Sequence, residues 1–161
     1  MSATVRLVRA EPGHVRALAP KIRAIDRLEC EAMGRTVEQA LAHGLAAGAR
    51  TWSALIDDAP HAMFGVVVVS AACGEAVPWF LGSDEVPRYG RMLLETGPRI
   101  VTAMHGHGCR LSNFVSADNR QAIRLLERWG FTVEPEPVVV RDVAFRRFIR
   151  EIVKCAHPSS R

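Results

Sequence analysis

The sequence predicts an α/β (α+β) fold, in which about four helices flank a central sheet of about six or seven strands. Short apolar segments rich in β-branched residues alternate with segments of helical periodicity, and glycine or proline separates them. The chain has 161 residues, which suits a single domain over 1–161. We expect the last residues, 155–161, to be loosely held.

The first half of the chain begins with a strand and two helical regions. Residues 4–9 alternate apolar and charged side chains, which predicts a strand. A helical region interrupted at Pro20 follows. Thr36 and Gln39 then form a capping box, the pattern of a helix start, for a helix that ends at Gly48. Three strands are predicted next, over 50–56, 62–72 and 76–81.

Pro78 lies inside the third of these strands and predicts a bulge or an edge there, because proline cannot donate a ladder hydrogen bond. A helix over 87–105 follows, and Gly97 with Pro98 should kink it. Residues 110–115 then read as a strand.

The next helix has the sharpest boundaries in the sequence. Asp118 and Gln121 form a second capping box, and Gly130 supplies the left-handed residue that ends a helix. A strand begins at 131–134. The segment 138–149 fits either a strand or a helix, and its valines favour a strand for the first half. The predicted order is β-α-α-β-β-β-α-β-α-β-β.

The segment 119–131 carries the most specific pattern of the chain. It resembles the helix-to-strand segment of the GNAT superfamily of N-acetyltransferases, which runs Asn-x-x-Ala-x-x-Leu-Tyr-Glu-Lys-x-Gly-Phe. The order of elements is also that of the GNAT fold, so the resemblance implies a mixed, mostly antiparallel sheet. Leu126 stands where that family places a tyrosine. The matching residues are Asn119, Ala122, Leu125, Glu127, Arg128, Gly130 and Phe131.

The GNAT resemblance implies a pyrophosphate site for acetyl-CoA at the loop before the central helix. The corresponding segment 81–91 lacks the Arg/Gln-x-x-Gly-x-Gly/Ala pattern of that family. Pro87 removes one amide donor, and Asp84 and Glu85 place negative charge where a phosphate would dock. The candidate cofactor-binding residues are Arg88, Gly90, Arg91 and Asn119.

Catalytic groups are sparse by the same comparison. Leu126 cannot protonate a leaving thiolate, and the strand 76–81 has no carboxylate to act as a base. Glu29 and Glu31 on the early helices are the candidate catalytic carboxylates, although a solvated helix face also explains them. His105, His107 and Cys109 alternate near a helix end without a second ligand cluster, so no metal is expected.

A second resemblance is to a family of internal virion or virion-assembly proteins of short-tailed bacteriophages. The blocks that carry it are 26–35, 62–66, 78–84 and 119–131. It implies that a GNAT-like fold serves as a scaffold, since fold and chemistry are separable. Trp79, Phe80 and Tyr89 would then be candidates for contact with other virion proteins.

Two functions therefore follow from the sequence. The first is a phage virion-associated or assembly protein that needs no cofactor, located in the virion and the host cytoplasm. The alternative is an acetyl-CoA-dependent N-acetyltransferase with a degenerate pyrophosphate loop, which acts on a small-molecule or protein amine. The net charge of +4 permits a nucleic-acid partner, but aromatic interleaving is sparse and does not favour one. The sequence has no apolar run long enough to span a membrane.

Overall fold

The computed structural model describes residues 2–152 of the chain. These residues form one seven-stranded sheet in the order β1-β2-β3-β4-β5-β7-β6. The strands are β1 (Val5–Arg9), β2 (Arg50–Ile56), β3 (Ala59–Ser70), β4 (Glu75–Gly82), β5 (Arg110–Ser116), β6 (Thr132–Val140) and β7 (Val143–Glu151). The helices are α1 (Pro12–Leu18), α2 (Ala24–Ala32), α3 (Val37–Ala47), α4 (Gly90–Met104) and α5 (Arg120–Arg128).

The sheet separates two hydrophobic cores, because successive side chains of a strand point to opposite faces. Met63 of β3 joins the core that includes residues of α1, α2 and α3. Its neighbour Phe64 joins the core that includes residues of α4 and α5, where it stacks on Phe80. Both sheet faces are therefore covered by helices, as the predicted fold class requires. No helix within residues 2–152 has both the length and the apolar content needed to span a bilayer.

β4 and β5 diverge soon after they begin. They form a parallel pair, and only Glu75–Arg110 and Ala76–Leu111 are in register. The Asn113 side-chain amide then donates a hydrogen bond to the carbonyl oxygen of Pro78 at 2.9 Å. Beyond this bond the two strands separate. Pro78 thus lies on an open edge of β4, the second of the two placements that its sequence context indicated, and the register shift of the β3–β4 pair is at Val68/Ser70.

The predicted start of α3 and the predicted end of α5 are confirmed, whereas the predicted start of α5 is wrong. The Thr36–Gln39 capping box is present, and Gly130 ends α5 with a φ of +87°. The N-cap of α5, however, is Asn119, whose side chain accepts from the amide of Ala122. Asp118 is therefore not the cap.

The two final strands of the predicted order are present and form a β-hairpin, but its turn lies at a position that the sequence did not indicate. The segment 138–149 is divided between β6 and β7, and Arg141 and Asp142 form the turn with φ values of +45° and +65°. Glycine and asparagine usually occupy such a turn, which is why it was missed. Residues 145–151 are strand, while 153–154 and the tail 155–161 lie outside the described residues. The structure also has five helices within 2–152 where about four were predicted.

Candidate functional site

The gap between the diverging halves of β4 and β5 forms a cavity of about 450 Å³, here called the cleft. Residues of α2 and α3 line it on one face of the sheet, and residues of α5 line it on the other. The cleft is therefore accessible to two ligands that approach from opposite faces of the sheet. Trp79, Phe80 and Leu81 of β4 and Asn113, Phe114 and Val115 of β5 form its walls.

Glu29 of α2 closes one side of the cleft. Its Oε1 accepts hydrogen bonds from the backbone amide of Ser116 at 2.9 Å and from the side-chain amide of Asn119 at 3.2 Å. Burial raises the pKa of Glu29, and the two hydrogen bonds act in the opposite direction. Both bonds fall on Oε1, which leaves Oε2 as the oxygen that can take up a proton from a ligand in the cleft.

Asp26, one turn earlier on α2, forms a hydrogen bond with the end of β4. Its carboxylate accepts from the amide of Gly82 at 3.0 Å and from the guanidinium of Arg23 at 2.6 Å and 3.2 Å. Asp26 is only 1% exposed. Burial raises the pKa of Asp26 although Arg23 and the Gly82 amide favour its charged form. Asp26 is thus committed to an ion pair, whereas Glu29 has no comparable cation.

The backbone of Phe80 is directed into the cleft. Residues 78, 80 and 82 of β4 present their backbone groups to the same edge, because backbone direction alternates along a strand. That edge is fixed by the hydrogen bonds of Gly82 to Asp26 and of Pro78 to Asn113. The N–H and C=O of Phe80 therefore face the gap, where β5 is too distant to pair with them. An extended ligand with amide groups can form strand-like hydrogen bonds there.

A second cavity of about 360 Å³, here called the groove, lies between α4 and α5. Its described lining contains Arg23, Arg124 and Arg128 and no carboxylate. Arg23, Phe80, Ala122 and Leu125 line both the groove and the cleft, so the two cavities are adjacent and share a wall. Neither Arg124 nor Arg128 was among the site residues predicted from the sequence. Their spacing of four residues on one helix face was the available indication.

The acidic loop before α4 does not face the groove. Asp84 and Glu85 are absent from the groove lining, and Glu85 forms an ion pair with Arg88 at 3.2 Å. The repulsion of phosphate that we expected from Asp84 and Glu85 is therefore weaker, because these side chains do not line the groove. Pro87 and Gly90 do line the groove, and a Cβ on Gly90 would contact nothing within 4 Å.

The other candidate residues are dispersed. Arg88 and Arg91 do not line the groove, and Arg91 pairs with Glu95 on the surface. Glu31 is exposed and does not line the cleft, whereas Asn119 does. Trp79 and Phe80 are partly buried walls of the cleft. Tyr89 lines an apolar cavity of about 130 Å³ between α4 and the sheet.

The histidine-rich segment after α4 forms a helix end. Nδ1 of His105 lies 3.0 Å from the carbonyl oxygen of Gly108. Burial lowers the pKa of His105, which favours the neutral ring. Across residues 2–152 no three His, Cys, Asp or Glu side chains converge as metal ligands.

Several solved structures with this architecture are acetyltransferases. The chain superposes on the aminoglycoside acetyltransferase AAC(6')-Ib in complex with coenzyme A with a TM-score of 0.65 and 16% identity, over 94% of this chain and 96% of that chain. It superposes on an acetyltransferase of the GNAT family from Streptococcus pneumoniae with a TM-score of 0.62 and 17% identity, over 92% of this chain and 99% of that chain.

A third similar structure is RimL, an α-N-acetyltransferase of a ribosomal protein, in complex with coenzyme A. Its TM-score is 0.64 at 14% identity, over 94% of this chain and 96% of that chain. No protein-family model and no curated protein sequence matches the chain. The superpositions show that the chain has the fold of the GNAT N-acetyltransferases. None of these comparisons supports the resemblance to phage virion proteins.

Proposed function

We propose that this protein is an acetyl-CoA-dependent N-acetyltransferase. The observation that carries the proposal is that the cleft and the arginine-lined groove are adjacent and share wall residues. Together they would hold one ligand, with its charged end between α4 and α5 and its long narrow arm reaching the gap between β4 and β5. Structurally similar acetyltransferases have been solved with coenzyme A, which supports the same ligand here.

The groove would hold the phosphates of this ligand. Arg124 and Arg128 are exposed on α5 and have no carboxylate beside them in the groove lining. Arginine binds phosphate through two parallel hydrogen bonds, so one residue of this kind fixes both charge and orientation. Arg23 is partly neutralised by Asp26 and contributes less. Gly90 at the first turn of α4 leaves room for the ligand to approach the backbone.

The residues of the cleft would position the acceptor amine and move its proton. Acetyl-CoA supplies an activated acetyl thioester when it is bound. The backbone of Phe80 would orient the arm of the ligand, and Oε2 of Glu29 would take the proton of the attacking amine. The raised pKa of Glu29 moves this carboxylate toward the basicity that a general base needs. Leu126 at the cleft wall has no proton to give, so the coenzyme A thiolate released when the thioester C–S bond breaks would take its proton from solvent.

Calorimetric titration with acetyl-CoA tests the proposal. We expect saturable binding to the wild-type protein. Each arginine–phosphate contact is a charge-assisted bond of about 1.5–3 kcal/mol, so Arg124→Ala with Arg128→Ala should weaken binding at least about tenfold. Arg91→Ala is the matched control, because Arg91 is also exposed and does not line the groove. Wild-type protein that binds no acetyl-CoA at millimolar concentration would overturn the proposal.

The internal hydrogen bonds at the mouth of the cleft do not separate the proposed function from a virion scaffold. Asp26 and Glu29 already occupy the Gly82 and Ser116 amides at the mouth of the cleft. A protein that used its gap only for packing would also be expected to satisfy these groups internally. The same titration separates the two functions, because a scaffold has no need of the arginine-lined groove.

A further inference from the structure

The two ends of the cleft differ in chemistry. The end on the α5 face borders the groove and is the route for acetyl-CoA in the proposed function. The acceptor must therefore enter from the other end, on the α2 and α3 face. That end is lined by Met33, Val69 and Phe114, whose exposed fractions are 45%, 64% and 39%. Exposed apolar side chains grouped around a cavity commonly mark a binding site.

The charges that line the cleft are few and balanced in sign. The ionisable side chains that line the whole cleft are Arg23, Asp26, Glu29, Arg35 and His43, besides one cysteine. The ion pair with Arg23 already compensates the charge of Asp26. Among the described residues that line the cleft, Glu29 is therefore the single carboxylate available to an incoming ammonium. A ligand with several positive charges would meet Arg35 without a second carboxylate to balance it.

Trp79 adds an aromatic surface to the apolar end. Its ring packs against α3, where a Cβ on Gly44 would come within 2.4 Å of the indole. Its Nε1 is buried and has no hydrogen-bond partner among the described residues. A buried indole N–H usually finds a hydrogen-bond partner, so this group is an exception among the described side chains that line the cleft.

We propose that the acceptor is an amine with one positive charge on an apolar body, the class that contains aralkylamines and hydrophobic amino acids. This inference rests on the proposed function and specifies its acceptor. Glu29 binds the ammonium at the floor of the cleft. Met33, Val69, Phe114 and Trp79 enclose the apolar body. Polycationic amines are excluded, because the cleft offers them one carboxylate and an opposing arginine.

The first test measures binding alone. In ¹⁵N-labelled protein the indole N–H signal of Trp79, assigned with Trp79→Phe, is followed during titration with tryptamine, phenylalanine and spermidine. We expect tryptamine or phenylalanine to shift this signal saturably and spermidine to leave it unchanged. A preference for tryptamine over phenylalanine would identify an aralkylamine, and the reverse an amino acid. A shift by spermidine alone would overturn the inference.

The second test measures turnover with acetyl-CoA. We expect kcat/KM for the preferred apolar amine to exceed that for spermidine at least tenfold, and Val69→Ser to reduce this ratio severalfold. Val139→Ser is the matched control, since Val139 is 67% exposed on β6 and does not line the cleft. Equal or greater turnover of spermidine would contradict the acceptor class while leaving acetyl transfer intact. If acetyl-CoA does not bind, the proposed function fails, and the binding test still decides the ligand class.

Discussion

The carboxylate of Glu29 accepts a hydrogen bond from the backbone amide of Ser116 at 2.9 Å, which joins α2 to the far end of β5. Asp26 makes the equivalent bond to the amide of Gly82 at the far end of β4. A spacing of three residues places both carboxylates on one face of the helix. One helix thus supports both diverging strands, and the gap between them is a built part of the fold.

Replacement of Glu29 by glutamine should lower the rate of acetyl transfer without lowering the free energy of unfolding. Glutamine keeps an acceptor for Ser116 and removes a charge that burial disfavours. We expect the free energy of unfolding at pH 7 to be equal to or above that of the wild type. Acetyl transfer should fall roughly 100-fold, as loss of a general base does. Chemical denaturation and initial rates measure the two effects. Glu31→Gln, on the exposed face, should change neither.

The same pair of proteins has a defined pH dependence. The pKa of Glu29 in the folded protein lies above its ordinary value of 4.5. The folded state therefore binds the proton more tightly than the unfolded state, and the wild type gains stability as pH falls through the folded pKa toward 4.5. We expect the stability difference between Glu29→Gln and the wild type to shrink over that interval. A difference that widened instead would show that the pKa is lowered.

Removal of the Asp26 carboxylate should be strongly destabilising. Asp26→Ala leaves the mostly buried guanidinium of Arg23 unpaired and the Gly82 amide without its acceptor. Breaking one partner of a buried ion pair typically costs about 3–5 kcal/mol. Arg91→Ala, which removes an ion pair with a 93% exposed arginine, should cost below about 1 kcal/mol. Urea denaturation of both variants gives the comparison, and similar losses would contradict the role given to Asp26.

Asn119 links the cap of α5 to Glu29, and two substitutions should distinguish these roles. Asn119→Ala removes the cap and should cost about 1 kcal/mol. Asn119→Asp keeps the cap acceptor but places a second carboxylate where an amide now donates to Glu29 at 3.2 Å. We expect Asn119→Asp to be the less stable variant at pH 7, and to recover relative to Asn119→Ala as acid protonates one carboxyl group. Thermal unfolding at pH 7 and pH 5 measures the order.

Asp118→Ala is the control for the helix cap, because alanine cannot cap a helix whereas asparagine could. Asp118 is exposed and does not cap α5, so this variant should unfold at the wild-type temperature. A large loss of stability would restore the cap assignment that the sequence suggested.

Two glycines of α4 should respond oppositely to alanine. A Cβ on Gly97 would lie 2.0 Å from the ring of Trp129, so the indole or the helix must move. Overpacking of this kind costs about 1–3 kcal/mol. A Cβ on Gly90 meets nothing within 4 Å, and Gly90→Ala should be neutral or stabilise by up to about 1 kcal/mol. Equal effects in thermal unfolding would contradict the close contact of α4 with Trp129.

Local patterns were sufficient for most of the architecture. Helical periodicity and capping residues located α3 and α5, and Gly130 adopts the positive φ that its position requires. Such features depend on neighbours a few residues apart, so they can be read from the chain. The β6–β7 turn was missed because Arg141 and Asp142 are held in left-handed conformations without glycine or asparagine.

The sequence predicted only part of the candidate site. Glu29 and Glu31 are equivalent as sequence features, but they are two residues apart and so point in different directions from the helix. Packing of α2 against β5 turns Glu29 toward Ser116 and leaves Glu31 exposed. Arg124 and Arg128 were passed over, since charged residues on a helix surface are common and only the approach of α4 gives these two a shared cavity.

The sequence by itself determined the order of strands and helices, the apolar faces that cover the sheet, and the missing tyrosine at Leu126. The tertiary structure alone decided that β4 and β5 diverge, that α2 carboxylates hold the two strand ends, and that the charges of the α4 loop turn away from the groove. The physical reason is the difference in sequence separation between the residues that interact. Secondary structure follows from interactions over a few residues, whereas the cleft depends on contacts such as Glu29 with Ser116, which lie 87 positions apart.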